Sequence, residues 1–402
     1  MKTFVQFGAG NIGRSFIGRL FAEAGYEVIF IDVDPRLIAL LNERRSYPVI
    51  VKQNDRPDEV RLIQGVRAID GRDTRAVIGA VATADTIATS VGQRALQSIF
   101  PALAAALLVR KSHGRPPLDV IIAENLRAGA AFFRQNLSEQ LPDDFDLAAH
   151  LGLVETSIGK MVPIMPLEAL QADPLQLFAE PYDTLIVDRR GFRCKVPPLA
   201  GLKAVDNIAA WVDRKLFLHN MSHASLAYLG YQADPALRYC WQAMEIPAVV
   251  EAVRSALLQS AAALARAYPD DLAPAELAEH AEDLLNRYRN RALGDTLHRV
   301  GRDLGRKLAR DDRLIGACLL AARYGLPFDR MVPPIHAALK FAAPDENGRM
   351  GPADHDFLDA VAKRGARAVL TEIAKLDPAQ ALDRQVLDAC FEHPADTAEP
   401  PG

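Results

Sequence analysis

Phe4-Val5-Gln6-Phe7-Gly8-Ala9-Gly10-Asn11-Ile12-Gly13, followed nineteen residues later by Asp32, is the stretch that decides the fold of the first half of the chain. Residues 4–7 read as a short apolar strand running straight into a G-x-G-x-x-G turn. The spacing of Ile12, Phe16, Ile17, Leu20 and Phe21 predicts a helix over 12–24. Gly25-Tyr26 stops it, and 27–31 reads as a second strand closed by Asp32. Each residue of the turn has a physical task. Gly8 permits the tight bend, Gly10 lets a pyrophosphate approach the backbone, and Gly13 lets the helix pack close to the strand. With Asn11 and Ile12 they open a helix whose free N–H groups suit phosphate. Asp32 is spaced to accept hydrogen bonds from ribose hydroxyls. A bare G-x-G-x-x-G is a weak signal; the strand before it, the helix after it and the acid beyond make it a specific one. The cofactor expected is NAD, since the Asp32 carboxylate would repel the 2′-phosphate of NADP, with Arg36 nearby as a counterweight. The alternative is a glycine-rich turn that binds no nucleotide.

Working outward, 86–92 reads as a buried strand ending in Gly92, followed by a helix over 95–108. Val91 and Gly92 then fall at a strand end beside the cofactor crevice, where nicotinamide-side contacts belong. A further buried strand over 118–123 finishes in Glu124-Asn125 before a helix over 126–137. Asn125 is either a donor on the same crevice or simply an N-cap. Strand-like pieces at 153–157 and 184–188 are separated by turns at Pro163, Pro166, Pro174 and Pro181. After Pro197-Pro198 the pattern changes to almost pure helix. The fold expected is an α/β Rossmann-type N-terminal domain with a mostly parallel sheet over 1–198, then an all-α C-terminal domain over 199–392, with 393–402 as a proline-rich, acidic, flexible tail.

Composition fits this division. The chain has 402 residues, half of them apolar, and a formal net charge of −4, so nothing points to nucleic acid or an anionic membrane. Four scattered cysteines, Cys194, Cys240, Cys318 and Cys390, suggest neither a zinc site nor a disulfide framework. The opening residues lack the features of a secretory signal, and no run of 18 apolar residues occurs. The expectation is a cytoplasmic protein, monomeric or a small homo-oligomer.

In the second half, residues 214–224 hold Lys215, Asn220 and His223 on one helix. At about 100° per residue they fall at roughly 0°, 140° and 80°, inside one wedge. A lysine beside an amide and an imidazole, among Leu216, Phe217, Leu218 and Met221, could be desolvated enough to act as a base near neutral pH. The alternative is an ordinary amphipathic helix with an exposed lysine and a core histidine. His219 has no matching role and reads as a packing or surface residue. Further on, Arg299, Arg302 and Arg306 recur at i, i+3 and i+7 of an expected helix, forks suited to a phosphate monoester. The nearby Asp295, Asp303, Asp311 and Asp312 offer the competing reading of a salt-bridged surface face. No metal-ligand spacing occurs.

These stretches together resemble the polyol-specific long-chain dehydrogenases. The match is carried by Phe7-Gly8-Ala9-Gly10-Asn11-Ile12-Gly13-Arg14, by Glu124-Asn125, by K-x4-N-x2-H over Lys215 to His223 with Ala227-Tyr228-Leu229-Gly230 beyond it, and by Arg287-Tyr288-Arg289-Asn290 through Arg306-Lys307-Leu308 to Asp312-Arg313-Leu314. The resemblance implies metal-independent, NAD-linked hydride transfer on a polyol or sugar phosphate. Lys215 would be the general acid–base, Asn125 and Asn220 donors to the reacting oxygen, and His223 an orienting group. Interconversion of mannitol 1-phosphate and fructose 6-phosphate is the reaction it favours. The alternatives are free mannitol, a sugar acid such as fructuronate or tagaturonate, or a non-catalytic NAD-binding regulator. One departure stands out: where phosphate-using relatives show Asp-Arg before Ile-Val-Pro, this chain has Gly159-Lys160 before Met161-Val162-Pro163. Lys160 is nonetheless a candidate for the anionic end of the substrate.

Overall fold

The opening strand, Thr3–Phe7 (β1), sends alternate side chains into two different cores, with Phe4 in one and Val5 and Phe7 in the other. A strand buried on both faces belongs in the middle of a doubly wound sheet. The computed structural model describes residues 1–54 and 56–391, and the chain divides into two compact units, Met1–Trp211 and a second beginning at Val212.

In the first unit the later strands are Glu27–Asp32 (β2), Ser46–Val51 (β3), Glu59–Gln64 (β4), Val66–Asp70 (β5), Thr86–Thr89 (β6), Leu118–Ile122 (β7), Leu151–Ile158 (β8), Leu177–Ala179 (β9), Leu185–Asp188 (β10) and Leu202–Val205 (β11). Eight form one sheet in the order β11-β10-β8-β7-β6-β1-β2-β5, with β8 and β10 as its one antiparallel pair. The direction of winding reverses at β1, which lies between β2 and β6. Ligands of such sheets bind outside the carboxyl ends of the strands at this reversal. Phe16, Ile17 and Phe21 from the segment after the glycine turn cover one face, where the Phe21 ring stacks on Phe4 at 3.6 Å. Val77, Leu103 and Leu107 from Thr74–Thr83 and Phe100–Ser112 cover the other. Each such side chain taken from water contributes roughly 2 kcal/mol.

Three details differ from expectation. The helix after the glycine turn begins as a π turn, Gly13–Gly18, before becoming regular over Arg19–Glu23. The hairpin of β3 and β4 joins β9 in a small separate sheet with no precedent in the sequence reading. The sheet also continues past the expected boundary at 198/199, because β11 pairs in parallel with β10. The tail expected over 393–402 lies outside the described residues.

The second unit is helical among its described residues, apart from one isolated bridge between Tyr239 and Thr296. Its central element is Pro247–Ala267, which packs against Met221–Ala233, Pro274–Tyr288 and Ile315–Arg323. Proline starts both Pro247–Ala267 and Pro274–Tyr288, a position where its missing N–H costs nothing. The 21 residues of Pro247–Ala267 have the length and apolarity of a bilayer span, yet half of the apolar window is buried within the fold, as in a core helix.

Candidate active site

In the first unit the strand ends after β1, β2, β6 and β7 carry the residues expected to hold a dinucleotide. Gly8 has φ +90°, and a Cβ there would lie 2.5 Å from the Ser90 carbonyl oxygen, so both bend and packing demand glycine. Gly10 is exposed, with open space where a Cβ would stand, which leaves the backbone accessible to a phosphate. Asn11, Ile12 and Gly13 follow at the mouth of the π turn. One Asp32 oxygen accepts from the Ala9 N–H at 2.7 Å, tying the glycine turn to β2, and the other accepts from Val33 at 2.7 Å and Asp34 at 3.1 Å. A carboxylate has about four acceptor sites, so capacity for a ribose hydroxyl remains. Gly8, Gly10, Asp32, Ser90 and Val91 line a cavity of about 280 Å³. These residues fit a dinucleotide.

Val91 and Gly92 sit at this crevice, but their N–H groups are already taken. Glu124 accepts from them at 2.8 and 3.0 Å, and burial pushes its carboxyl pKa up. They can therefore offer a ligand only surface and carbonyls. Asn125 is not the cap of the next helix, which is Gly129–Ser138 with Ala128 at the N-cap. That removes the bland alternative and leaves Asn125 at the carboxyl end of β7.

The helix over 208–233, which belongs to the second unit from Val212 onward, is interrupted by a π turn, Lys215–Asn220, where the Met221 N–H reaches back five residues to the Leu216 carbonyl. The insertion changes the phase of the three expected residues. At roughly 4.4 residues per turn, Asn220 lies only about 50° from Lys215 and His223 about 10° to its other side, a wedge of about 60° instead of 140°. The turn is seated by Phe217, whose ring packs where Gly316 lacks a Cβ; one built there would come within 2.8 Å of it.

Burial lowers the Lys215 pKa to about 8, and the positive charge of Arg313 acts in the same sense. The amine is thus held near the working range of a general base. Burial together with Arg299, Lys307, Arg313 and Arg287 lowers the His223 pKa to about 3, so the imidazole is neutral at ordinary pH. Its Nε2 is 3.3 Å from the buried Asp295, which also pairs with Arg299. A carboxylate can only accept, so this neighbour favours the tautomer with the imidazole proton on Nε2. His219 is buried behind this pair, with its Nδ1 lacking a hydrogen-bond partner, and burial lowers its pKa strongly.

The expected arginine face is not one face. The helix breaks into Leu297–Gly301 and Leu304–Lys307, with Asp303 between them at φ +68°. The buried Asp354 holds this break by accepting from the N–H groups of Asp303 and Leu304 at 2.9 and 2.7 Å. Arg299 belongs to the His223 cluster, whereas Arg306 pairs with Asp303 at 3.1 Å and Asp312 at 3.7 Å, as the salt-bridge reading proposed. Arg302 is exposed within the break. In place of the last two arginines, the cationic neighbours of His223 are Lys307 and Arg313. Lys307 is buried, donates to the Val300 carbonyl, and has its pKa lowered to about 7 by burial and by Arg313 and Arg306. One signal could have found it: a lysine three residues after Leu304 and one before Leu308 stands on an apolar face.

Lys160 belongs elsewhere. It is buried in the first unit and donates to the carbonyls of Glu180 at 2.9 Å and Tyr182 at 2.6 Å and to Asp183 at 2.8 Å. An ammonium has three protons, and all three are used, so the amine is a structural tie and leaves no donor for a substrate. Among the described residues no three His, Cys, Asp or Glu side chains gather as a metal would require.

Known proteins agree with this anatomy. The model of the mannitol dehydrogenase Rossmann domain matches residues 2–201, and that of the mannitol dehydrogenase C-terminal domain matches 207–385. A mannitol-1-phosphate 5-dehydrogenase from Brevibacillus brevis is 37% identical over 344 residues, 85% of this chain and 86% of the relative. Among solved structures, the ternary complex of Pseudomonas fluorescens mannitol 2-dehydrogenase with NAD and D-mannitol superposes with a TM-score of 0.70 at 19% identity, covering 97% of this chain and 90% of that one. A substrate-free D-sorbitol dehydrogenase gives 0.78 at 16% identity, covering 96% and 91%. With both family models matched in order across most of its length, the chain belongs to the mannitol dehydrogenase family of oxidoreductases.

Proposed function

We propose that the protein interconverts mannitol 1-phosphate and fructose 6-phosphate with NAD as the hydride carrier. The observation that carries this reading is a half-buried lysine, with pKa near 8, beside Arg313, which together with Arg299 and Lys307 also acts on His223. One such group suits proton transfer at a secondary alcohol, and the others suit a phosphate monoester dianion. The similarity to a mannitol-1-phosphate 5-dehydrogenase supports the same substrate.

In oxidation, neutral Lys215 takes the proton of a secondary hydroxyl as the C–H bond gives up its hydride and a ketone forms. NAD, when bound by the turn of Gly8, Gly10, Asn11, Ile12 and Gly13 with Asp32, supplies the hydride acceptor. Asn220 donates to the oxygen while it carries negative charge. His223, with its Nε2 3.3 Å from Asp295, offers Nδ1 to a neighbouring substrate hydroxyl. In reduction Lys215 returns the proton.

Two arginines and a partly protonated lysine attract a carboxylate as well as a phosphate, so a sugar acid is the second reading. Initial rates with fructose 6-phosphate, fructose and fructuronate, each with NADH, separate the cases. The proposal requires fructose 6-phosphate to have the highest kcat/KM; preference for fructuronate or free fructose refutes it.

A further inference from the structure

We infer that Tyr288 is a positioning residue for the catalytic helix: its hydroxyl holds the wide turn that carries Lys215, and its ring sets the plane of the His223 imidazole. This rests on reading Lys215 and His223 as the proton-transferring and substrate-orienting groups.

A π turn takes carbonyls out of the regular i→i+4 ladder, and buried carbonyls need donors from elsewhere. Here the donors are hydroxyls. Ser260 donates to the Phe217 carbonyl at 2.6 Å, Ser222 to the Leu218 carbonyl at 2.6 Å, and Tyr288 to the His219 carbonyl at 3.0 Å. The Tyr288 and Ser222 oxygens also lie 2.7 Å apart, within hydrogen-bond distance, so their two hydroxyl protons are shared among these contacts. Of these donors Tyr288 alone also touches a functional side chain: its ring stacks on His223 with centroids 4.9 Å apart and planes inclined by 11°. With Asp295 at its edge and Tyr288 on its face, the imidazole is held in two directions.

Packing alone does not account for the hydroxyl. Tyr288 is 2% exposed, and a phenylalanine would fill the same volume without bringing a polar atom into the core. The hydroxyl partners named here, Ser222 and the His219 carbonyl, both lie on the catalytic helix.

The charge acting on Lys215 is that of Arg313, which pairs with Asp312 at 2.7 Å; the titratable groups next along are the uncharged His219 on its own helix and, facing His219, His223, His280 and Arg287, where Asp283 lies 3.5 Å from Arg287. On Pro247–Ala267, Arg254 is paired with Glu282 at 2.8 Å. Tyr288→Phe changes none of these charges. Any change in Lys215 titration therefore reports its placement and hydration.

The test is the pH dependence of Lys215 labelling by trinitrobenzenesulfonate, read by mass spectrometry of the peptide, alongside steady-state oxidation of mannitol 1-phosphate. Tyr288→Phe is expected to move half-maximal labelling upward by about one pH unit and to lower kcat roughly tenfold, with KM for the polyol within about twofold. Tyr288→Leu, which also removes the stacked ring, is expected to raise that KM by about tenfold. A Tyr288→Phe protein with wild-type melting, labelling profile and kcat overturns the inference. If that variant does not fold, Ser260→Ala removes a hydroxyl from the same turn and faces the same labelling test with the same two outcomes. Labelling needs no turnover. A wild-type protein inert toward every polyol therefore refutes the proposed function, while the labelling still decides the role of Tyr288.

Discussion

Lys215 and Lys160 show how the same side chain can stand in two opposite settings. Around Lys160, three acceptors use every N–H and Asp183 supplies a counter-charge, whereas the charge acting on Lys215 is the positive one of Arg313. The low pKa of Lys215 sets a testable pH dependence. Polyol oxidation is expected to rise with pH through about 8 as the amine loses its proton, and ketose reduction to fall over the same range. Lys215→Ala is expected to lower kcat by about a hundredfold or more while NAD binding, followed by protein fluorescence, is unchanged. Near-normal turnover would remove Lys215 from the mechanism. At the cofactor end, Asp32→Ala is expected to narrow the ratio of kcat/KM for NAD over NADP by about tenfold; an unchanged ratio would place the ribose contact elsewhere. Gly8, Asp32 and the K-x4-N-x2-H spacing could be singled out because the tasks proposed for them are local in sequence. Asp295, Lys307 and Arg313 were not, because their meaning depends on which residues fold against His223.

Among the elements, regular helices and central strands were legible while interruptions were not. The helices Pro247–Ala267 and Pro274–Tyr288 fall where the pattern turns almost purely helical, each announced by its proline and an apolar stripe. Both π turns escaped notice, since an insertion of one residue leaves apolar spacing almost unchanged over so short a span. The break between Gly301 and Leu304 escaped for a different reason. It depends on Asp354, fifty residues further along the chain, and on Phe341, against whose ring Gly301 packs. Gly301→Ala would drive a methyl into that ring. It is expected to cost about 1–3 kcal/mol of stability, read from urea unfolding, and to weaken binding of the phosphorylated substrate by displacing Lys307. An equally stable variant would mean that the ring moves aside freely.

For the whole molecule, the buried basic groups of the helical unit give stability a direction in pH. His223 and His280 have pKa values near 3 against an ordinary 6.5, so the unfolded chain binds more protons between those values. Their contribution is fully present above about pH 6.5 and is lost as pH falls towards 3. Lys215 near 8 and Lys307 near 7, against 10.5, act in the same sense at higher pH, where stability continues to rise until the unfolded lysines lose their protons. The urea midpoint is therefore expected to climb from pH 4.5 through 7 to 9; a maximum at or below pH 7 would contradict it. The π turn at Lys215–Asn220 also has a consequence at this scale. A helix keeps count, and removing one residue from this turn would rotate everything after it by about 100°. Met221, Ala224 and Tyr228, now buried, would swing away from the core in the same motion that dispersed the lysine, amide and imidazole. Reactivity and cohesion in this unit are thus written in one register, and a lineage that lost the extra residue would forfeit both together.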